Sequence, residues 1–125
     1  MKTLLLIFLF SSIFANESKY ISFKRDLINY HYEISDSIYI KNISLETKDK
    51  ITKLESFFGF QQKNSIDIYY AHSKEKFKEL TGDRLPDWSG GVAFTNNRII
   101  IVKSSVNSNK QDVIETLVHE LVHIF

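Results

Sequence analysis

The sequence contains no cysteine, one proline, four glycines and one tryptophan among its 125 residues. Without cysteine, disulfide bonds are excluded, and so is a lipid anchor attached to a cysteine. Proline and glycine are too scarce for collagen or for a low-complexity linker. The apolar fraction of 43% and the charged fraction of 25% are ordinary for a globular protein. The length suits one modest domain.

Neither sign of charge dominates, because 16 basic residues stand against 15 acidic ones. The sequence has no basic stripe for a phosphate backbone and no cationic amphipathic segment for a membrane surface. We therefore expect no nucleic-acid partner and no stable membrane anchor.

The longest apolar run, Leu4–Phe10, follows Lys2 at the start of the chain. It is shorter than the about 20 residues that a membrane-spanning helix needs. A positive start, an apolar stretch and the small residue Ala15 predict a signal peptide over residues 1–15. Its removal would leave residues 16–125 formally neutral. A secreted chain without disulfides fits a bacterial periplasm or exterior.

Apolar and polar residues alternate over residues 28–34, which predicts a half-buried strand. Its inward face would carry Ile28, Tyr30, Tyr32 and Ile34. Residues 37–41 are interpreted as a second strand that forms a hairpin with it. From Ser44 the spacing becomes helical and ends at Gly59. The buried face of that helix is predicted to contain Ile51, Leu54, Phe57 and Phe58.

The second half of the chain continues this alternation of strands and helices. Residues 65–71 are β-branched and aromatic, as in a strand. Ser73 is a predicted N-cap for a short helix that carries Phe77 and Leu80 and ends at Gly82. Two strands follow, at 92–94 and 98–103, and the second is apolar on both faces, as in a strand that is covered on both sides.

A helix ends the sequence, and Ser108 with Gln111 resembles a capping box at its start. The element order β-β-α-β-α-β-β-α predicts an α+β fold, a mixed sheet with packed helices and a C-terminal helix that carries the site. We find no internal repeat.

The last seven residues, "HELVHIF", contain His119, Glu120 and His123 in the pattern H-E-x-x-H. Positions i and i+4 share one helix face, so both imidazoles can bind one Zn²⁺. Zinc lowers the pKa of bound water from about 15.7 to about 7, and a carboxylate beside it can accept the proton as a general base. An aspartate at position 120 would fall about one methylene short. Glu120 is therefore the candidate catalytic residue, with His119 and His123 as metal ligands.

Apolar residues surround this motif, so the helix is predicted to be buried on almost every side. They are Val113, Ile114, Leu117, Val118, Leu121, Val122, Ile124 and Phe125. Two histidines and a glutamate inside such a helix would be costly without partners, and a metal ion would satisfy all three.

The remaining polar candidates have simpler interpretations. We interpret His31 as part of a solvated sheet face and His72 as a loop residue. Glu115 either orients a ligating histidine or interacts with the helix dipole, and we favour the dipole. Trp88 is interpreted as a packing anchor in a turn.

With "LPDWSGGVAF" and "RIIIV" before it, "HELVHIF" resembles the gluzincin zinc metallopeptidases, and among them the secreted bacterial peptidase-MA-like domains. The resemblance covers roughly residues 50–125. It implies a zincin-like N-terminal subdomain and a zinc-dependent peptidase that acts on peptides or proteins. In gluzincins the third zinc ligand is a glutamate on the next helix. The resemblance therefore implies that residues 16–125 are the N-terminal part of a longer enzyme and are inactive alone.

The resemblance also implies that an edge strand before the zinc helix pairs with an extended substrate. Gly91, Val92, Ala93 and Phe94 occupy that place. The glycines either let a substrate backbone approach or simply form a turn. The strand has no acidic residue for a substrate amine, which argues against an aminopeptidase and favours an endopeptidase or another specificity.

Two alternatives to a peptidase with all its ligands in one chain stay open. The chain could be a non-catalytic peptidase-like remnant or a peptide-binding module. A glutamate from a second copy could instead complete the zinc site, and zinc would then induce dimerisation.

Overall fold

A computed structural model describes residues 20–82, 90–103 and 110–125. The elements along the chain are β1 (Tyr20–Arg25), β2 (Ile28–Glu33), a 3₁₀ helix (Ile34–Asp36), α1 (Ser37–Phe58), β3 (Ile66–Ala71), α2 (Lys74–Thr81), β4 (Gly91–Phe94), β5 (Ile99–Lys103) and α3 (Lys110–Ile124). The predicted signal peptide, Trp88 and Ser108 of the predicted capping box lie outside the described residues. Within the described ranges, no helix combines the length and hydrophobicity needed to cross a lipid bilayer.

The five strands form one mixed sheet in the order β1-β2-β3-β5-β4. Strands β2, β3 and β5 are parallel neighbours, whereas β1 and β4 are antiparallel to theirs. Tyr30 lies opposite Ile68, which in turn lies opposite Ile100, so the apolar positions of the three central strands share one face. The predicted α+β fold with a mixed sheet is confirmed.

Helices cover both faces of the sheet. Helices α1 and α3 cover the larger core, and α2 covers a smaller one formed by Ala71, Phe77 and Ile101. Ile100 and Ile101 point to opposite faces and are only 0% and 4% exposed. The prediction of a strand covered on both sides is therefore confirmed for β5.

The predicted strand at 37–41 is wrong, because these residues form the first turns of α1. Ile40, Ile43 and Thr47 lie on one side of this helix and are buried, and that helical spacing prevails over local strand propensity. The hairpin partner of β2 is instead β1, which precedes it. Ile34 is also misplaced in the prediction: the chain leaves the strand after Glu33, and Ile34 is 73% exposed.

The buried face of α1 ends earlier than predicted. Ile51 and Leu54 pack against the core, but Phe57 and Phe58 are 82% and 39% exposed. Neither residue belongs to the core packed under the sheet, and Phe58 instead contacts Phe60 and Phe125 at the surface. Gly59 ends the helix in the left-handed conformation with φ 73°, as predicted.

The predicted ends of α2 are confirmed. The Ser73 hydroxyl accepts a hydrogen bond from the backbone N–H of Lys76 at 3.1 Å, which satisfies one amide of the first helical turn. Gly82 ends the helix with φ 73°. The helix packs Phe77 against the sheet.

Candidate metal site on helix α3

Helix α3 is amphipathic, and the prediction that it is buried on almost every side is wrong. Its buried residues are Val113, Ile114, Leu117, Leu121 and Ile124. His119, Val122 and His123 are exposed, while Glu120 is half-buried. Because both imidazoles already contact solvent, burial gives no separate reason for a metal partner.

The two histidines of the motif lie side by side on the exposed face. The ring centroids of His119 and His123 are 5.2 Å apart, and the rings are inclined at 75°. One turn of helix separates them, and their exposure leaves the ring nitrogens accessible to an ion from solvent. The donor set of two imidazoles, with a carboxylate on the adjacent residue, fits half of a zinc site.

Glu120 lies on the side of α3 that faces β4. A Cβ atom added at Gly91 would be 3.5 Å from Glu120 Cγ, 3.0 Å from Thr116 Cγ2 and 3.1 Å from the carbonyl oxygen of Ile101. Gly91 therefore allows the strand and the helix to approach closely. Besides substrate approach and turn formation, close packing of β4 against α3 is therefore a third explanation for a glycine at position 91. The same contact places Glu120, the candidate general base, beside the predicted substrate strand.

Strand β4 is an end strand of the sheet among the described residues, as its predicted role requires. Ala93 packs toward the larger core and Val92 toward the smaller one. Phe94 is 40% exposed. Of the four predicted substrate-binding residues, Gly91 lies beside Glu120, and the other three follow it along the same strand.

The structure does not bring a third ligand to His119 and His123 within the described ranges. Among those residues, the only group of three or more ligand atoms within 4.8 Å of one another comes from Glu33, Asp36 and His72. A zinc site built on α3 would need its third ligand from outside the described residues.

His31 is on the polar face of β2, as predicted, but it has specific partners. Its Nε2 donates to Asp67 Oδ1 at 2.8 Å, and its Nδ1 shares a hydrogen bond with the Ser22 hydroxyl at 2.8 Å. The ring also stacks on Tyr69 with centroids 4.4 Å apart. These hydrogen bonds connect the side chains of three adjacent strands, β1, β2 and β3, so His31 stabilises the sheet on its polar face.

His72 follows the last residue of β3, in agreement with the prediction of a loop residue. Its Nδ1 lies 3.0 and 3.1 Å from the two carboxylate oxygens of Asp36. This pair was missed because it depends on contact between residues that are distant in sequence. Glu115 is exposed and accepts a hydrogen bond from Gln111 at 3.4 Å. This contact supports neither of the two roles considered for Glu115, which were to orient a ligating histidine or to interact with the helix dipole.

An exposed aromatic cluster lies at the end of α3. Phe125 is 6.1 Å from Phe58 and 6.0 Å from Phe60, measured between ring centroids. It joins the last turn of α1 to the helix that carries His123. The sequence suggested the apolar character of these residues but not that they meet on the surface.

Thr116 is a site residue that the sequence interpretation missed. It is four residues before Glu120 and shares its helix face toward β4. The helical spacing could have indicated it. Comparisons with protein-family models, with curated proteins and with solved structures found no match in any of the three.

Proposed function

We propose that this chain carries the zinc-binding helix and the substrate-pairing strand of a zinc-dependent peptidase. The observation that carries the proposal is the arrangement around α3. His119 and His123 are adjacent and exposed on one face, and Glu120 faces an end strand of the sheet. Metal-dependent hydrolysis of a peptide bond uses these three elements: a metal site, a base next to it and a surface for the extended substrate.

His119 and His123 are the proposed ligands. A bound zinc ion would supply Lewis-acid activation of water and of the scissile carbonyl. Glu120 accepts the proton that the attacking water loses and later delivers it to the leaving amine. Glu120 is half-buried, and its Cγ lies beside Gly91, so the side chain leaves the helix on the side that faces the proposed substrate strand.

Strand β4 is the proposed substrate-binding element. The backbone groups on the outer edge of an end strand can pair with an extended peptide. The four residues from Gly91 to Phe94 contain no acidic side chain to bind a free amine, which favours cleavage within a chain over removal of its first residue. The substrate class is therefore an extended segment of a peptide or protein.

A peptide-binding module without catalysis is the second candidate. The same end strand would serve it, and the absence of a third ligand near His119 and His123 among the described residues favours it. The two functions differ in one measurable respect. The peptidase cleaves a bound peptide and loses that cleavage when position 120 carries an amide, whereas the binding module cleaves no peptide with either residue.

The deciding experiment compares the protein as its gene encodes it with Glu120→Gln, using zinc-loaded samples and a library of internally quenched peptides. The matched control is Glu115→Gln on the exposed side of the same helix. We expect cleavage that falls by about 10²–10⁴-fold in Glu120→Gln alone, with zinc content unchanged. Peptide binding without cleavage by any of the three proteins would overturn the peptidase and leave the binding module.

A further inference from the structure

A second group of potential metal ligands lies at the other end of α1 from the aromatic cluster. Strands β2 and β3 are parallel neighbours, so their carboxyl ends lie side by side. Glu33 ends β2, Asp36 ends the 3₁₀ helix that follows, and His72 comes directly after β3. One ligand atom from each lies within 4.8 Å of the other two. Three separate segments of the chain thus converge.

The side chain of Asp36 does not cap helix α1, although its position in the chain suggests that role. It is the N-cap residue of α1, where an aspartate usually accepts a hydrogen bond from a helix amide. It makes no capping hydrogen bond. Its carboxylate instead contacts His72 Nδ1 through both oxygens, at 3.0 and 3.1 Å. The side chain is only 12% exposed, whereas that of His72 is 52% exposed.

Within the part of the chain that the structure describes, the basic side chain that pairs with this group is that of His72 itself. Among the described residues, neither Glu33 nor Asp36 has a lysine or arginine within ion-pair distance. The negative charge also acts on the nearby hydroxyl of Tyr20. The pKa of this hydroxyl is raised above the usual value, mainly by burial and then by Glu33, Asp36 and Glu79. Two carboxylates held together in a partly desolvated place repel each other unless a proton or a cation lies between them.

We propose that Glu33, Asp36 and His72 bind a first-row divalent cation such as Zn²⁺, at a site independent of His119 and His123. An imidazole with two carboxylates suits such an ion better than Ca²⁺ or Mg²⁺, which prefer oxygen ligands alone. Ligands about 2.1 Å from one ion in tetrahedral geometry are about 3.4 Å apart. The His72–Asp36 contact, at 3.0 and 3.1 Å, is shorter than this separation because the two side chains share a hydrogen bond. Ion binding would replace that hydrogen bond and draw in the Glu33 carboxylate, whose ligand atom lies within 4.8 Å of the other two. The ion would connect the β2–α1 junction to the end of β3.

The test measures Zn²⁺ binding by titration calorimetry in a His119→Ala/His123→Ala background, which removes the proposed site on α3. We expect this protein to bind one ion. Adding either His72→Ala or Asp36→Asn should weaken binding by more than about tenfold. His31→Ala is the matched control, because His31 also pairs with an aspartate, at 2.8 Å, but belongs to no three-ligand group among the described residues. It should leave the affinity unchanged.

Circular dichroism of each variant shows whether it is folded, and Asp36→Asn preserves the side-chain shape if His72→Ala does not fold. Zinc affinity that is the same with and without the His72 and Asp36 changes would overturn the proposal, as would the absence of binding in the His119→Ala/His123→Ala protein. Neither result would affect the proposed peptidase, whose zinc site is removed in every one of these proteins.

Discussion

Gly91 of β4 lies so close to Thr116 of α3 that a Cβ atom at position 91 would be 3.0 Å from the threonine Cγ2. The same atom would be 3.1 Å from the backbone carbonyl oxygen of Ile101. The threonine methyl can move, but a carbonyl inside the sheet cannot move without disturbing the strand pairing. This contact limits how near β4, the proposed substrate strand, can lie to Glu120.

The first prediction concerns this contact. Gly91→Ala should lower the free energy of unfolding by about 1–3 kcal/mol, because the added methyl overpacks the helix–strand contact. Gly90→Ala is the control: its nearest neighbour would be Thr116 at an ordinary 3.5 Å. Urea unfolding of both variants gives the comparison. Equal stability of Gly91→Ala and Gly90→Ala would show that the close approach can relax.

The second prediction concerns the reach of the carboxylate at position 120. In zinc-loaded protein, Glu120→Asp should reduce kcat by about a hundredfold, because a displacement of about 1 Å from the reacting water is costly. The charge stays the same, so zinc content should not change. Parallel measurements of kcat and bound zinc test this. If the aspartate variant kept full activity, Glu120 would not be the positioned base of the proposed peptidase.

The third prediction concerns the end of α1. Gly59 has φ 73°, and a Cβ atom there would meet nothing within 4 Å. Gly59→Ala should therefore cost about 1–2 kcal/mol for conformational reasons alone. Gly59→Asn should cost less, because asparagine tolerates the left-handed region. Thermal or urea unfolding that ranks alanine above asparagine in stability would contradict this explanation.

The fourth prediction concerns alkaline pH. Burial, followed by the neighbouring Tyr70, raises the pKa of Tyr39 to about 12, above the usual value of about 10. The unfolded chain therefore releases this proton at lower pH than the folded protein does. The stability that Tyr39 contributes is fully present below pH about 10 and is lost as pH rises toward about 12.

Absorbance at 295 nm as a function of pH, together with urea unfolding at pH 9 and pH 11, provides the measurement. Tyr39→Phe should remove the phenolate component near pH 12 and reduce the loss of stability between the two pH values. The same loss in the wild type and in Tyr39→Phe would show that other groups cause it.

Patterns that are local in the chain were predicted correctly. The strand period of β2 and β3, the N-cap Ser73 and the helix-ending Gly82 each depend on a few neighbouring residues. Their physical causes act within one turn or one strand. The observed order of strands and helices equals the predicted one, but two errors cancel in its first part: the strand predicted at 37–41 is helical, and the strand β1 before β2 was not predicted.

The predictions from sequence were wrong or incomplete where contacts between residues distant in the chain determine the structure. Residues 37–41 have a strand-like composition, yet they are helical. Ile40 is buried in the larger core, and Tyr39 packs on Tyr70 with ring centroids 5.5 Å apart. The convergence of Asp36 and His72 depends on the sheet order, which one sequence does not reveal. By contrast, the pair His119 and His123 could be found because both residues lie on one helix.

The sheet order also determines when the proposed site can assemble during folding. The two imidazoles meet whenever α3 forms, because His119 and His123 lie one turn apart on the same helix. Strand β5 must cross back to pair with β3, although α2 and β4 lie between them in the chain. Closing such a long loop is slow compared with forming a helix. Local structure therefore brings the two proposed zinc ligands together, whereas the proposed substrate strand β4 reaches its place beside Glu120 only once the sheet is complete.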